Sequence, residues 1–335
     1  MPSTTRDALT MRAAVIDRFG PPSVVRVSDV ARPVPGPGEM LVRVHAADVS
    51  IADHRMRSRE VPRGMGLFVA PTLGLRTPKV RVLGMALAGV VEAVGEGVTG
   101  YAPAEELVAS NGSRMGGHAQ YAIVRADGVV APKPAGLSFE EAAAVPFGGV
   151  TAAAFLRATT VGPGTDVLVN GASGAVGTWA VQLAARAGAR VVGVCSGANA
   201  DLVRSLGAVD VIDYTRDDFT SGDARYDVIV ECAGTAPFAK VRHLIRPGGA
   251  LLEVIVVSMG ALLAGPWQTR RAGFRVVAGN PPKPDRSTLA DLLEGVASGE
   301  LRPVVDSTYD LDDIVAAHER VATGHKVGNV ILRIA

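Results

Sequence analysis

Cysteine is nearly missing from this sequence. Only Cys195 and Cys232 occur, so nothing in the first 194 residues carries a thiol. Two thiols build neither a disulfide framework nor a four-cysteine zinc site. No apolar run reaches the ~20 residues needed to span a bilayer. Residues 1–10 are polar and lack the apolar centre of a signal peptide, which points to a cytoplasmic protein. An excess of either charge is absent too. Lys plus Arg is 34, Asp plus Glu is 33, and the net charge is +1. Proteins that bind nucleic acid or a membrane surface normally carry a basic excess, so neither partner is expected. There are no internal repeats and no low-complexity segments. Lysine is scarce beside arginine, which reads as a bias of the coding DNA.

What is present is ample apolar material. Hydrophobic residues make up 48% of 335, enough for two cores of ~150 residues each. Up to about residue 130 the pattern is short β-runs, at 12–16, 40–44, 89–94 and 119–124. Gly and Pro turns separate them, as in Pro33-Val34-Pro35-Gly36-Pro37-Gly38. This stretch predicts a largely antiparallel β domain. The texture changes near Ser138-Phe139-Glu140-Glu141, where Ser138 and Glu141 stand at capping-box spacing. Strands then alternate with helices. Strands are expected at 167–169, 190–194, 209–212, 227–230, 250–257 and 274–278, with helices at 175–187, 199–206 and 236–245. Such alternation predicts a doubly wound parallel sheet. Helices at 289–298 and 312–323 follow, and a strand at 330–334 suited to return to the first domain. The expected division is 1–135 with 286–335, and 136–285.

The strongest local signal is Val167-Leu168-Val169-Asn170-Gly171-Ala172-Ser173-Gly174-Ala175-Val176-Gly177. An apolar strand runs through small residues into a helix. Amides and dipole at a helix N-terminus favour an anion, and a glycine at 174 would let a pyrophosphate approach the backbone. Ala172 replaces the first glycine of G-x-G-x-x-G. The spacing of glycines at 171, 174 and 177 fits a plain tight turn as well, and the flanking βαβ context favours a dinucleotide site. Ser173, Gly174, Ala175 and Val176 are its first candidates. The second strand ends at Cys195-Ser196-Gly197, without the acid that usually selects NAD. NADPH is therefore expected over NADH, with Ser196 at the ribose.

These residues, with further segments in order, resemble the zinc-independent quinone oxidoreductase (zeta-crystallin-like) branch of the medium-chain dehydrogenase/reductase superfamily. The matching segments are Val49-Ser50-Ile51-Ala52-Asp53-His54-Arg55, Leu83-Gly84-Met85, and residues 142–152 around Pro146-Phe147-Gly148-Gly149. Leu206-Gly207-Ala208, Asp213-Tyr214 and Arg246-Pro247-Gly248-Gly249 follow. The resemblance implies an α/β protein with a GroES-like β-rich catalytic domain and a Rossmann domain. Zinc-dependent relatives place Cys near position 50 and His-Glu after Gly84. This chain has Ser50 and Met85-Ala86, so no metal is expected. The branch usually has Asn at position 50, a base near Ala198, Lys at Asn329, and Gly-Asp where Pro103-Ala104 stands.

The resemblance also implies site residues. Ser50, Asp53 and His54 would face the reaction; Asp53 serves equally as a helix cap, and His54 suits a structural or exposed position better. Tyr121 suits a core position better than a catalytic one. Thr151 would lie near the nicotinamide and Tyr214 near the adenosine. Cys232, Ala233, Gly234 and Val256 would pass the nicotinamide side of the cofactor. Residues 57–81 read as an apolar substrate lid with a basic rim or as a solvated surface loop, and 258–271 as a substrate wall or as a segment packed against the neighbouring domain or a partner subunit. The implied reaction is NADPH-dependent reduction of an enone, quinone or enoyl double bond. A redox-neutral or cyclising biosynthetic step, or a nucleotide-binding structural or regulatory role, stays open. The run Phe274-Arg275-Val276-Val277-Ala278 would be the sheet's edge, and with the resemblance it predicts a homodimer.

Overall fold

The computed structural model describes residues 10–61, 66, 73–256, 269, 273–279, 281–283 and 285–334. They divide into two compact units. One holds the described residues up to Val61, those from 73 to Phe147, and those from Asp285 onward; the other holds Gly66 and 148–283. The first boundary falls after Phe147, not at 135. Helix α2 (Phe139–Ala143), capped by the Ser138–Glu141 box, packs on strands of the first unit.

The first unit is built on β3 (Glu39–Val49), an 11-residue strand with both faces largely buried. It pairs antiparallel with β4 (Ala86–Val94), β6 (Tyr121–Arg125) and β15 (Asn329–Arg333). β5 (Glu106–Ser110) and β7 (Val129–Pro132) continue the sheet on one side and β14 (Val305–Asp310) on the other. β1 (Thr10–Ile16) and β2 (Val25–Ala31) form a separate antiparallel pair. Met40, Val42, Val44, Leu87, Val91 and Leu107 form one core. Val330↔Val49 pairing brings the C-terminal strand back to this unit. There Ile314, Ala317 and Val321 of α8 (Ile314–Ala322) pack against Ile16, Val330 and Leu332. α1 (Ile51–Ser58) follows β3 directly, and α7 (Arg286–Ala297) packs on β7.

The second unit is a six-stranded, all-parallel sheet. Its strands are β8 (Asp166–Asn170), β9 (Arg190–Cys195), β10 (Asp210–Asp213), β11 (Tyr226–Glu231), β12 (Ile245–Glu253) and β13 (Arg275–Ala278). Their order is β10-β9-β8-β11-β12-β13, so the chain reverses direction between β8 and β11. Leu168, Val192, Val194, Ile229, Leu251 and Val276 fill one core cluster. Helices α3 (Thr151–Leu156), α4 (Ala175–Arg186), α5 (Ala200–Ser205) and α6 (Phe238–Val241) belong to this unit. Several differ from the sequence pattern at their ends. Residues 197–199 form a 3₁₀ turn before α5, and 311–313 do so before α8. The helix expected to reach 245 stops at Val241 and tightens into a 3₁₀ turn at 242–244, and Ile245 already pairs with Tyr226 and starts β12. Among the described residues, no helix is long and apolar enough to cross a membrane.

One buried group in α8 links this packing to pH. His318 is fully buried, its ring edge-on to that of His118 at 5.8 Å. Among the described residues, neither of its nitrogens has a hydrogen-bond partner. Burial first, then the charges of His118, Arg57 and His54, push its pKa well below the ordinary value of 6.5. The unfolded chain therefore takes a proton near pH 6.5 that the folded chain refuses. Stability is full above that pH and falls as pH drops toward the folded pKa, by up to about 1.4 kcal/mol per unit. Denaturant melts between pH 7.5 and 5 should show this slope, and His318→Leu should flatten it by up to one proton. An unchanged slope in the variant would overturn the assignment.

Candidate active site

The turn from β8 into α4 is shaped by close backbone approach. Gly171 has φ +77°, a left-handed conformation that side chains resist. A Cβ on Gly177 would lie 2.0 Å from the Gly171 carbonyl oxygen. Both positions are thus glycine for the fold's own sake. Gly174, the N-cap of α4, differs: its φ is −80°, and a Cβ there would meet only the Gly171 oxygen, at 3.4 Å. The protein does not crowd that position, so the space beside it is open to a ligand. Next to it stand the amides of Ala175, Val176 and Gly177, which no helix carbonyl can reach. Gly148 closes in from the other side; a Cβ on it would meet the Ala175 carbonyl at 2.2 Å. That contact brings the 146–150 turn, and Thr151 at the start of α3, up to the first turn of α4.

Residues that the sequence pattern did not single out hold the neighbouring loops. The Asn199 side-chain amide donates to Ser173 Oγ and Ser196 Oγ, both at 3.2 Å, joining the glycine turn to the end of β9. Buried Glu231, the last residue of β11, accepts from the amides of Ala233 (2.7 Å), Gly234 (2.6 Å) and Ala236 (3.0 Å). It also accepts from Asn170 Nδ2 at 2.7 Å. One carboxylate therefore fixes the Cys232-Ala233-Gly234 loop and ties it to the end of β8. Burial pushes the Cys195 thiol up to about 11 and raises that of Cys232 further, so neither is a ready nucleophile. Tyr214 is exposed just beyond β10, its amide bound to the Cys195 carbonyl at 3.1 Å. Val256 lies three residues past the end of β12. A lone signal, a carboxylate at a strand end followed by small residues, was available in the sequence for Glu231.

In the first unit, Ser50 caps α1. Its hydroxyl donates to Asp53 Oδ2 at 2.5 Å and accepts from the Asp53 amide at 3.3 Å. Asp53 is fully buried and accepts from the Ser50 amide and from the Gly84 amide, each at 2.8 Å. Both oxygens of Asp53 are thus occupied in holding backbone. His54 Nδ1 accepts from Arg57 at 3.1 Å while Nε2 faces Glu60 at 3.2 Å, so both ring nitrogens are engaged. Tyr121 lies in β6 with Arg32 stacked over its ring at 3.8 Å, a packing role. The three residues expected to react and the residues expected to hold a dinucleotide fall in different units. Met65, Leu67 and Phe68 of the first expected wall, and the whole of 258–268 with 270–271 of the second, lie outside the described residues. Among the described residues, no group of three or more His, Cys, Asp or Glu side chains is placed to hold a metal ion.

Known proteins share this architecture from end to end. The quinone oxidoreductase of Sus scrofa is 32% identical over 95% of this chain and 97% of its own length. The chain belongs to the quinone oxidoreductase family. That family lies in the medium-chain dehydrogenase/reductase superfamily, whose fold and nicotinamide-dependent redox chemistry it shares. The quinone oxidoreductase of Homo sapiens is 29% identical over 96% of the chain. Residues 36–135 match the alcohol dehydrogenase GroES-like domain, and 206–332 match the zinc-binding dehydrogenase model. Among solved structures, the quinone oxidoreductase from Coxiella burnetii superposes with a TM-score of 0.88. It is 26% identical and covers 97% of this chain and 100% of its own. A mycobacterial protein solved with NADPH superposes at 0.79, with 25% identity over 96% of this chain and 99% of its own. As a family member the chain is an oxidoreductase.

If Gly174 is glycine for a ligand, Gly174→Asp should spare the fold and remove the ligand. Thermal melting should shift little, while calorimetric binding of a nicotinamide dinucleotide should weaken at least a hundredfold, or ~2.7 kcal/mol. Unchanged affinity would place the cofactor elsewhere.

Proposed function

We propose that this oxidoreductase reduces the activated double bond of an enone, quinone or enoyl compound with hydride from NAD(P)H, and does so without zinc. The observation that carries the reading is the uncrowded space at Gly174, in a turn whose other two glycines the fold itself demands. The bound dinucleotide supplies the hydride. The first amides of α4 would hold its pyrophosphate. Asn199 ties Ser173 to Ser196 beside that turn, and Glu231 fixes the Cys232–Gly234 backbone, which would line the ribose. Thr151, Ala175, Val176, Tyr214 and Val256 complete the cofactor set. NADPH is the expectation drawn from residues 195–197, and the NADPH complex of the mycobacterial relative supports it.

Ser50 is the polar group we assign to the reacting end. Asp53 positions it and does not transfer a proton, because both its oxygens accept backbone or hydroxyl hydrogens. His54 is assigned to hold Arg57 and Glu60. The proton that completes reduction then comes from solvent, which enone reduction permits. Zinc chemistry lacks ligands where relatives carry them, since Ser50, Met85 and Ala86 offer neither thiolate nor imidazole. The relatives favour reduction over a redox-neutral step or a regulatory role. Oxidation of NAD(P)H in step with loss of an enone or a quinone, undiminished by chelators, is the expected result. About one zinc per chain by elemental analysis, or product formed without net cofactor oxidation, would overturn it.

The oligomer proposed is a homodimer formed through β13, an edge strand of the parallel sheet in the described residues. Edges with free ladder groups invite a second chain. Thr269 already accepts the Val276 amide at 2.9 Å, so the pairing would use the remaining groups of the strand. Light scattering should give twice the chain mass for the wild type and one chain mass or aggregate for Ala278→Pro, whose amide, like that of Val276, faces away from β12. A wild-type mass of one chain refutes the dimer.

A further inference from the structure

A charge buried in a protein is costly unless an opposite charge or enough hydrogen bonds meet it. Arg57, in α1, is fully buried. One arm of its guanidinium donates to the Gly20 carbonyl at 2.5 Å and the other to His54 Nδ1 at 3.1 Å. Its Nε has no partner among the described residues. Burial lowers its pKa, with no acid's charge holding it up. The acids of this region are engaged elsewhere. Asp53, one turn back, gives its oxygens to Ser50 and Gly84. Glu60 faces His54 and is 64% exposed. Asp48 accepts from the Ala86 amide, and burial, then Asp53, pushes its carboxyl well above the usual range, toward the neutral acid.

Further unpartnered nitrogen lies alongside. α8 packs on α1, and the charges of His118, Arg57 and His54 bear on His318. Both nitrogens of buried His318 lack partners, as does Nδ1 of buried His118. His118 Nε2 donates to the Asp48 carbonyl at 2.8 Å. In the neutral ring its Nδ1 is therefore a lone pair, and it becomes a donor only on protonation. The other charged groups on segments packed against α8 are taken or exposed. Arg26 pairs with Asp17, Asp306 with Arg320, Asp312 with Arg12 and Arg333 with Glu140. Asp29, Asp313 and Glu319 are exposed. The three buried basic side chains thus bring together four unpartnered nitrogens and a positive charge that no acid pairs with among the described residues.

We propose that Arg57, His118 and His318 form a buried site for a small monovalent anion of the halide kind. A single negative charge balances Arg57, whereas a dianion would leave one charge over. Arg57 Nε–H and an N–H of His318 donate to the ion. A bound anion also favours the charged form of His318. The site therefore tightens as pH falls through the range in which the ion-free folded chain refuses that proton. It lies within the first unit and does not depend on the dinucleotide reading.

The test is thermal melting of the intact protein in sodium chloride and in sodium sulfate at matched ionic strength, near pH 6 and near pH 8. Sulfate stabilises folded proteins generally by exclusion from their surface. His318→Leu, which alters no exposed group, is therefore the reference. Relative to that variant, the wild type should gain several degrees in chloride over sulfate near pH 6, and less near pH 8. Its loss of stability on acidification should also be shallower in chloride, because the bound ion lets the folded chain take the proton. A wild-type crystal soaked in bromide should give an anomalous peak within hydrogen-bond reach of Arg57 Nε and the His318 ring, and this measurement decides where the leucine variant does not fold. A chloride gain equal in the wild type and a folded His318→Leu overturns the proposal. So does a gain that does not grow as pH falls, or the absence of a bromide peak at this cluster.

Discussion

Between β8 and α4 the backbone passes itself with no room for side chains. The Gly171 carbonyl oxygen occupies the place where a Cβ on Gly177 would have to stand, and the Ala175 carbonyl does the same to Gly148. Helix α4 can therefore lie hard against the end of the central strand, and the 146–150 turn can lie hard against the helix. Everything proposed for the site depends on this approach. It brings the first amides of α4 to the carboxyl end of the sheet, where the chain changes direction. It also leaves one position, Gly174, where the absence of a side chain serves no internal need.

In each unit, carboxylates act as anchors for backbone. Glu231 gathers three amides and an asparagine; Asp53 gathers two amides and a hydroxyl; Asp213 gathers two amides and a hydroxyl. Loops at strand ends expose donors that no ladder satisfies, and a buried donor without an acceptor is costly. An ionised side chain meets several such donors at once and is stabilised by them in return. Acidic residues that look available for proton transfer in a sequence are here already spent on holding loops in place, Asp53 most clearly.

How much was legible followed from the range of the forces involved. The Ser138–Glu141 box, the capping role open to Asp53, the glycine turn and the parallel alternation all depend on neighbours a few residues apart. Spacing alone exposes them, and the structure contains each. Helix ends were less legible. The 3₁₀ turns at 197–199 and 311–313, and the early stop at Val241, arise because a following strand or turn claims the next residues. Nothing local marks His318 within the helix expected at 312–323, since its burial against His118 depends on two segments 200 residues apart.

The sequence by itself determined the two-part α/β architecture, the glycine turn between β8 and α4 and the family, because periodicity, glycine spacing and ordered segments are properties of the chain. Only the tertiary structure decided what the polar residues do. Asn199 joins Ser173 to Ser196 across 26 residues of sequence, and Glu231 reaches back 61 residues to Asn170. Asp213 reaches the turn after β9 because parallel pairing sets it beside Cys195. Parallel strands are neighbours in space only after a whole crossover has intervened in sequence. Charges that act across a few ångströms in the site are therefore separated by many residues in the chain, and register, which no local pattern encodes, brings them together.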